Sequence, residues 1–164
     1  MLNRVCTATE HRGCQLLASC YWDGLGVARD RERASTLYHQ ACDAGDHNAC
    51  VDVGEMFAAG EGAPQDQAQA VARYEAACRE GNARGCHRLA VATWYGRGTE
   101  ADKTRSITVY RQACDGGFSQ ACNDLGTVYA TGDGVEEDKT AAARLFDRAC
   151  RAGIQDGCQN LQRL

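Results

Sequence analysis

Ala41-Cys42-Asp43-Ala44-Gly45-Asp46-His47-Asn48-Ala49-Cys50 sets two cysteines eight residues apart around one glycine, and its outline returns along the whole chain at a constant interval. The cysteines fall into the couples Cys6 and Cys14, Cys42 and Cys50, Cys78 and Cys86, Cys114 and Cys122, and Cys150 and Cys158, thirty-six residues from one couple to the next. Of the eleven cysteines only Cys20 stands outside this scheme. A period of that length means a two-helix unit stacked many times, each unit burying its apolar face on its neighbours. The 164 residues are therefore best divided into a partial second helix over 1–10, four complete units over 11–46, 47–82, 83–118 and 119–154, and a partial first helix over 155–164.

Each unit follows one grammar. In the first helix of unit one, Leu17, Cys20 and Tyr21 share a face at helical spacing, and Gly24 and Gly26 stop the helix. Its second helix opens on Asp30, an N-cap candidate, carries Ala34, Leu37, Tyr38 and Ala41 on one stripe, and closes at Gly45. The glycine pairs recur as Gly60/Gly62, Gly96/Gly98 and Gly132/Gly134, and the acidic caps as Asp66, Asp102 and Asp138. A large aromatic at Tyr38, Tyr74, Tyr110 and Phe146 faces a small residue at Ala41, Ala77, Ala113 and Ala149, the alternation by which helices interdigitate. Past Gly153 only a short first helix fits, so Leu161 and Leu164 are expected to lack a covering helix and to fray, unless the native protein is longer.

Composition narrows the function classes. A formal net charge of −4 and a pI near 5.5 provide no basic field for nucleic acid or anionic lipid. No apolar run approaches the roughly 18 residues of a membrane span, so no membrane insertion is expected. Eleven cysteines, ten of them in evenly placed couples, point to an oxidising compartment. Since Met1-Leu2-Asn3-Arg4-Val5-Cys6 lacks the apolar core of a signal peptide, the native product is expected to carry an export signal upstream.

Eight residues of continuous helix would hold the two α-carbons of a couple about 12 Å apart, and a disulfide needs less than about 7 Å. The intervening glycine must therefore turn the chain, and each bridge would close a nine-residue loop worth about 2.5 kcal/mol on the loop-entropy model. Geometry also allows Cys14 to pair with Cys42, but that scheme strands Cys6 and Cys158. Zinc is disfavoured even with His47 and His87 nearby, because seven residues separate the thiols where zinc pairs have two to four. No metal and no cofactor is expected. The four G-x-G turns follow helices and recur in every unit, so they read as left-handed caps rather than a nucleotide fingerprint. Cys20 stands at the offset of Met56, Ala92 and Val128 and is expected to be a buried, free, unreactive thiol.

Leu125-Gly126-Thr127-Val128-Tyr129-Ala130-Thr131-Gly132-Asp133-Gly134-Val135 and Val53-Gly54-Glu55-Met56-Phe57 resemble the Sel-one-like repeat, a relative of the tetratricopeptide repeat. The cysteine couple in each unit is similar to the cysteine-rich subclass that includes the secreted Helicobacter cysteine-rich proteins. The resemblance covers nearly the whole chain and implies an all-α, right-handed α-solenoid of antiparallel helix pairs. It also favours the short-range bridges Cys6–Cys14, Cys42–Cys50, Cys78–Cys86, Cys114–Cys122 and Cys150–Cys158. Departures are Ala18 and Ala90 for the helix glycine, Thr93 for the aromatic and Ser106 for the second-helix alanine, which make unit three the expected poorest packer.

With the family's curvature, the first helices would line a concave face whose non-core offsets hold Gln15, Ser19, Trp22 and Asp23 in unit one, and Val51, Glu55 and Ala58 in unit two. Unit three contributes His87, Val91, Trp94 and Tyr95, and unit four Asn123, Thr127 and Ala130. These offsets vary between units while the core offsets do not. Trp22, Trp94 and Tyr95 are either interface anchors or packing for a neighbouring unit. Arg84 and Arg88, with Asp52 and Glu55, would either orient a peptide or solvate the helices. The resulting expectation is a monomeric, non-catalytic scaffold, secreted or in a bacterial periplasm or envelope, that binds a protein or extended peptide segment. The cysteine-rich relatives also imply an alternative, binding or hydrolysis of β-lactams, although the chain has no S-x-x-K motif to explain acylation.

Overall fold

The computed structural model describes residues 11–164, and within them the chain forms nine α-helices and no strand. First and second helices alternate as α1 (His11–Asp23), α2 (Arg31–Asp43), α3 (His47–Ala59), α4 (Gln67–Arg79), α5 (Ala83–Tyr95), α6 (Lys103–Asp115), α7 (Ser119–Thr131) and α8 (Lys139–Arg151), followed by α9 (Gln155–Arg163). This is the disulfide-stapled, all-α solenoid of helix pairs that the cysteine period implies. Residues 1–10, and Cys6 with them, lie outside the described residues, so neither the partial second helix nor the Cys6–Cys14 bridge is described.

The second helices start where their acids stand. Asp30, Asp66, Asp102 and Asp138 are extended N-caps whose carboxylates accept the backbone N–H of Arg33, Gln69, Arg105 and Ala141, satisfying a donor that the helix itself leaves without a partner. First helices α3, α5 and α7 end at Gly60, Gly96 and Gly132 in the left-handed conformation, each N–H returning to a carbonyl four residues back. The second glycine of a pair serves the contact between units. Gly98 has φ +74, and a Cβ there would fall 2.1 Å from the Gln67 carbonyl oxygen at the start of α4. Only glycine lets the unit-three connection rest on unit two at that point.

Short corners over 44–46, 80–82, 116–118 and 152–154 carry each second helix into the next unit. They turn at Gly45, Gly81, Gly117 and Gly153, all with positive φ. The corner draws the α-carbons of Cys42 and Cys50 to 4.6 Å, Cys78 and Cys86 to 4.4 Å, Cys114 and Cys122 to 4.7 Å, and Cys150 and Cys158 to 4.6 Å, and all four pairs are bridged. Every one of these bridges joins one unit to the next.

A single core runs the length of the stack, from Cys14 to Ala149. The ring of Tyr74 rides on the backbone of α3 at Gly54, where a Cβ would come within 2.5 Å of the ring, and Phe146 does the same at Gly126, at 2.7 Å. Unit three has Ala90 at that offset, yet its two helices meet as extensively as those of the other units. The expected weak packing is therefore corrected. Its polar substitutions are absorbed by the backbone, since Ser106 Oγ donates to the Ala90 carbonyl at 2.7 Å and Thr93 Oγ1 to that of Leu89 at 2.9 Å.

Two more expectations need correction. Cys20 is unbridged but half-buried, whereas Met56, Ala92 and Val128 at its offset are buried. Met56 reaches to Gly62, itself seated on Arg31 and Ser35 of the preceding second helix, and unit one has no such helix among the described residues. Val51, expected on the inner surface, is fully buried against Gly85 of the next first helix.

Candidate interaction trough

The first helices touch one another directly, α3 with α5 and α7 with α9, while among the described residues no pair of second helices makes comparable contact. The first helices are thus the inner row of a curved stack, and a cleft opens on that row at each junction. The cleft between units one and two, 280 Å³, is lined by Trp22, Tyr38, Asp52, Glu55, Met56, Ala59 and Glu61. Between units two and three it measures 400 Å³, with Glu55, Ala59, Tyr74, Arg88, Val91 and Arg97 among its walls. The cleft between units three and four is the largest, 580 Å³, and holds Val91, Trp94, Tyr95, Tyr110, Asp124, Thr127, Val128, Thr131 and Asp133. A fourth of 260 Å³ lies against α9, with Thr127, Thr131, Lys139, Asn160 and Arg163. Successive clefts share Glu55 and Ala59, then Val91, then Thr127 and Thr131, so together they form one trough.

Ten of the residues singled out from the sequence line this trough: Trp22, Asp52, Glu55, Ala58, Arg88, Val91, Trp94, Tyr95, Thr127 and Ala130. His87 and Asn123 do not, because their offset, shared with Gln15 and Val51, points sideways at the next first helix. There it builds a polar ladder between units. Gln15 Nε2 donates to Asp52 at 3.0 Å, His87 Nε2 lies 2.8 Å from Asp124 Oδ2, and Asn160 Nδ2 donates to Asn123 Oδ1 at 2.9 Å. His87 is also buried between the rings of Phe118, at 4.8 Å, and Tyr110, at 5.8 Å, with Nδ1 unpartnered. Asp124 was not apparent as a site residue. Its signal is a recurring couple of polar residues thirty-seven apart, Gln15 with Asp52, His87 with Asp124 and Asn123 with Asn160.

The mixed charges of units two and three neither solvate the helices nor stand free, because they pair with each other. Arg84 Nη1 and Nη2 meet Asp52 and Glu55, each at 2.7 Å, and Arg88 Nε meets Glu55 at 2.6 Å. Burial works against the charge on Arg84, but the two carboxylates outweigh it and raise its pKa above the ordinary arginine value. The phenols behind the trough are held neutral. Burial first, and then the nearby carboxylate of Asp52 or Glu55, raises Tyr38 and Tyr74 from 10.0 to about 12. Burial and Asp124 raise Tyr110 as well.

Both tryptophans are half-buried and pack within their own unit rather than on a neighbour. Trp22 meets Tyr38 edge to face at 6.3 Å and Trp94 meets Tyr110 at 6.3 Å. A cation lies over each outer face, Arg31 over Trp22 at 5.0 Å and Lys103 over Trp94 at 5.1 Å. Tyr95 remains 62% exposed, under Arg97 at 5.0 Å. Among the described residues no group of three or more His, Cys, Asp or Glu side chains is placed to hold a metal, and no helix is long and apolar enough to cross a membrane.

A row of bridged helical hairpins with an open inner face defines the class of helical-repeat scaffolds. Within it, this chain belongs to the Sel1 repeat family, whose profile matches residues 11–46, 47–82, 83–118 and 119–154. Sel1 repeats are scaffolds typical of protein–protein interaction. Among solved structures, the chain is similar to a Sel1 repeat protein from Oxalobacter formigenes, with 22% identity and a TM-score of 0.92 over 99% of this chain and 67% of that one. It is similar to c5321 of uropathogenic Escherichia coli strains, described as a protective antigen with this fold, at 27% identity and a TM-score of 0.82. There the alignment covers 94% of this chain but only 33% of the other. Helicobacter pylori cysteine-rich protein B aligns at 22% identity and a TM-score of 0.61 over 76% of this chain and 89% of its own. No curated protein matches the chain. Bridges of this kind form and persist in oxidising environments.

Proposed function

We propose that the chain is a monomeric, non-catalytic scaffold, secreted or resident in a bacterial periplasm or envelope, that holds an extended segment of a protein or peptide along the inner trough. The observation that carries this reading is the continuity of the four clefts along offsets that vary from unit to unit, while the cysteine couples, the second-helix caps and the corner glycines repeat. Helices pack about 8–10 Å apart, so each unit would span about three residues of an extended segment. The largest cleft offers Trp94 and Tyr95, aromatic anchors of the type that dominates interface energetics. The test is site-specific photocrosslinking in the native envelope. A benzophenone side chain placed at Val91 or Thr127 on the inner row should capture a partner, and one placed at Arg79 or Thr108 on the second helices should not. Capture from the second helices alone would move the binding surface to the other side of the solenoid.

A further inference from the structure

The carboxylates that line the trough differ in how they are neutralised. Asp52 and Glu55 are bound by Arg84, Glu61 by Arg31, and Asp133 by Lys103. Asp124 alone among them pairs with no lysine or arginine of the described residues. It is held instead by His87 Nε2 at 2.8 Å, Gln120 Nε2 at 3.0 Å and Asn123 Nδ2 at 3.4 Å, and its side chain stays 28% exposed to the cleft between units three and four. Three partners hold the carboxylate and occupy three of its roughly four acceptor sites, leaving about one for a guest. The walls above it are Trp94, Tyr95 and Tyr110, whose ring faces attract cations. The chain already uses that attraction there, with Lys103 over Trp94 and Arg97 over Tyr95. In the neighbouring cleft between units two and three Arg88 is paired with Glu55, whereas Arg97 pairs with no carboxylate of the described residues.

We propose that the cleft between units three and four takes a lysine or arginine side chain of the bound segment, its charge set against Asp124 and its stem against Trp94 and Tyr95. The complementary residue of that segment, about three positions away, would be an acid lying near Arg97 in the adjoining cleft. This deepens the trough reading and rests on it.

The test is fluorescence anisotropy of the oxidised full chain with labelled hexapeptide pools, random except for one central arginine, lysine, citrulline, glutamate or leucine. The arginine and lysine pools should bind at least tenfold more tightly than the others. That advantage should shrink below threefold in Asp124→Asn, which keeps the shape of the side chain, and in the unmodified protein at 0.5 M salt. Equal binding of the glutamate or leucine pool, or a preference that survives in Asp124→Asn, overturns the proposal. Binding that is lost in Trp94→Ala but indifferent to charge leaves the trough standing and removes only the cationic guest. If no pool binds, or none responds to Trp94→Ala, the trough reading falls and this inference with it.

Discussion

The junction between units two and three and the one between units three and four share a backbone but not a chemistry. Both have a bridged corner, Cys78–Cys86 in the first and Cys114–Cys122 in the second, a buried tyrosine behind the inner row and a left-handed glycine closing the first helix. At the first junction the inner row is closed on itself, with Arg84 and Arg88 spent on Asp52 and Glu55. At the second, Asp124 has only His87 and two amides, and Tyr95 stands clear in a 580 Å³ cleft. One set of offsets therefore builds a uniform frame, and a different set distinguishes one part of the trough from another.

Several perturbations separate the frame from the inner row. The largest effect should come from alkali, because Tyr38 and Tyr74 titrate near 12 in the folded chain and near 10 when unfolded. Their contribution is complete below pH 10 and is lost as the pH rises through 12. Short exposures above pH 12 should unfold the array, while circular dichroism at pH 9.5 stays native; full helicity at pH 12.5 would show that these phenols are not held neutral by burial.

Next in size is the loss of a bridge. Replacing Cys78 and Cys86, or Cys114 and Cys122, by serine should cost about 2.5 kcal/mol in urea unfolding, and by similar amounts at the two junctions because the loops are the same length. Gly126→Ala should cost about 1–3 kcal/mol, since its Cβ would press on Phe146. A neutral result would mean that the ring shifts freely, as it must in unit three over Ala90. Arg84→Met should cost about 1 kcal/mol, leaving Asp52 with only the Gln15 amide and Glu55 with only Arg88, and high salt should reduce that cost. The smallest stability effect, under about 0.5 kcal/mol, belongs to Tyr95→Ala, which removes an exposed ring from the second junction. If Tyr95→Ala costs more than Arg84→Met, the division into a closed and an open junction is wrong.

The frame could be read from the chain because it repeats. Gly45, Asp66, Tyr74 and the cysteine couples recur at one interval, and a recurring residue can be matched to a recurring structural need. The inner row was only partly readable for the same reason. Of the non-core offsets that vary between units, two lie four residues apart on the first helix, and variation alone does not tell which one faces the trough. One carries Glu55, Val91 and Thr127 into the clefts, and the other turns Val51, His87 and Asn123 towards the next first helix. Their difference is a rotation of about 40° more than one full turn, too small for periodicity to resolve but enough to separate a surface residue from a ladder. The ion pairs from Arg84 were hidden because their partners lie about thirty residues away in another unit.

The account turns on whether the inner row can be changed without touching the frame. Units two and three differ at Ala58 and Ala59 against Trp94 and Tyr95, so the most direct measurement is partner affinity for the double variant Trp94→Ala, Tyr95→Ala, which gives unit three the small residues of unit two. Binding should weaken at least tenfold while far-ultraviolet circular dichroism and the thiol count stay as in the unmodified protein. Unaltered affinity in a variant that remains folded and bridged would contradict it.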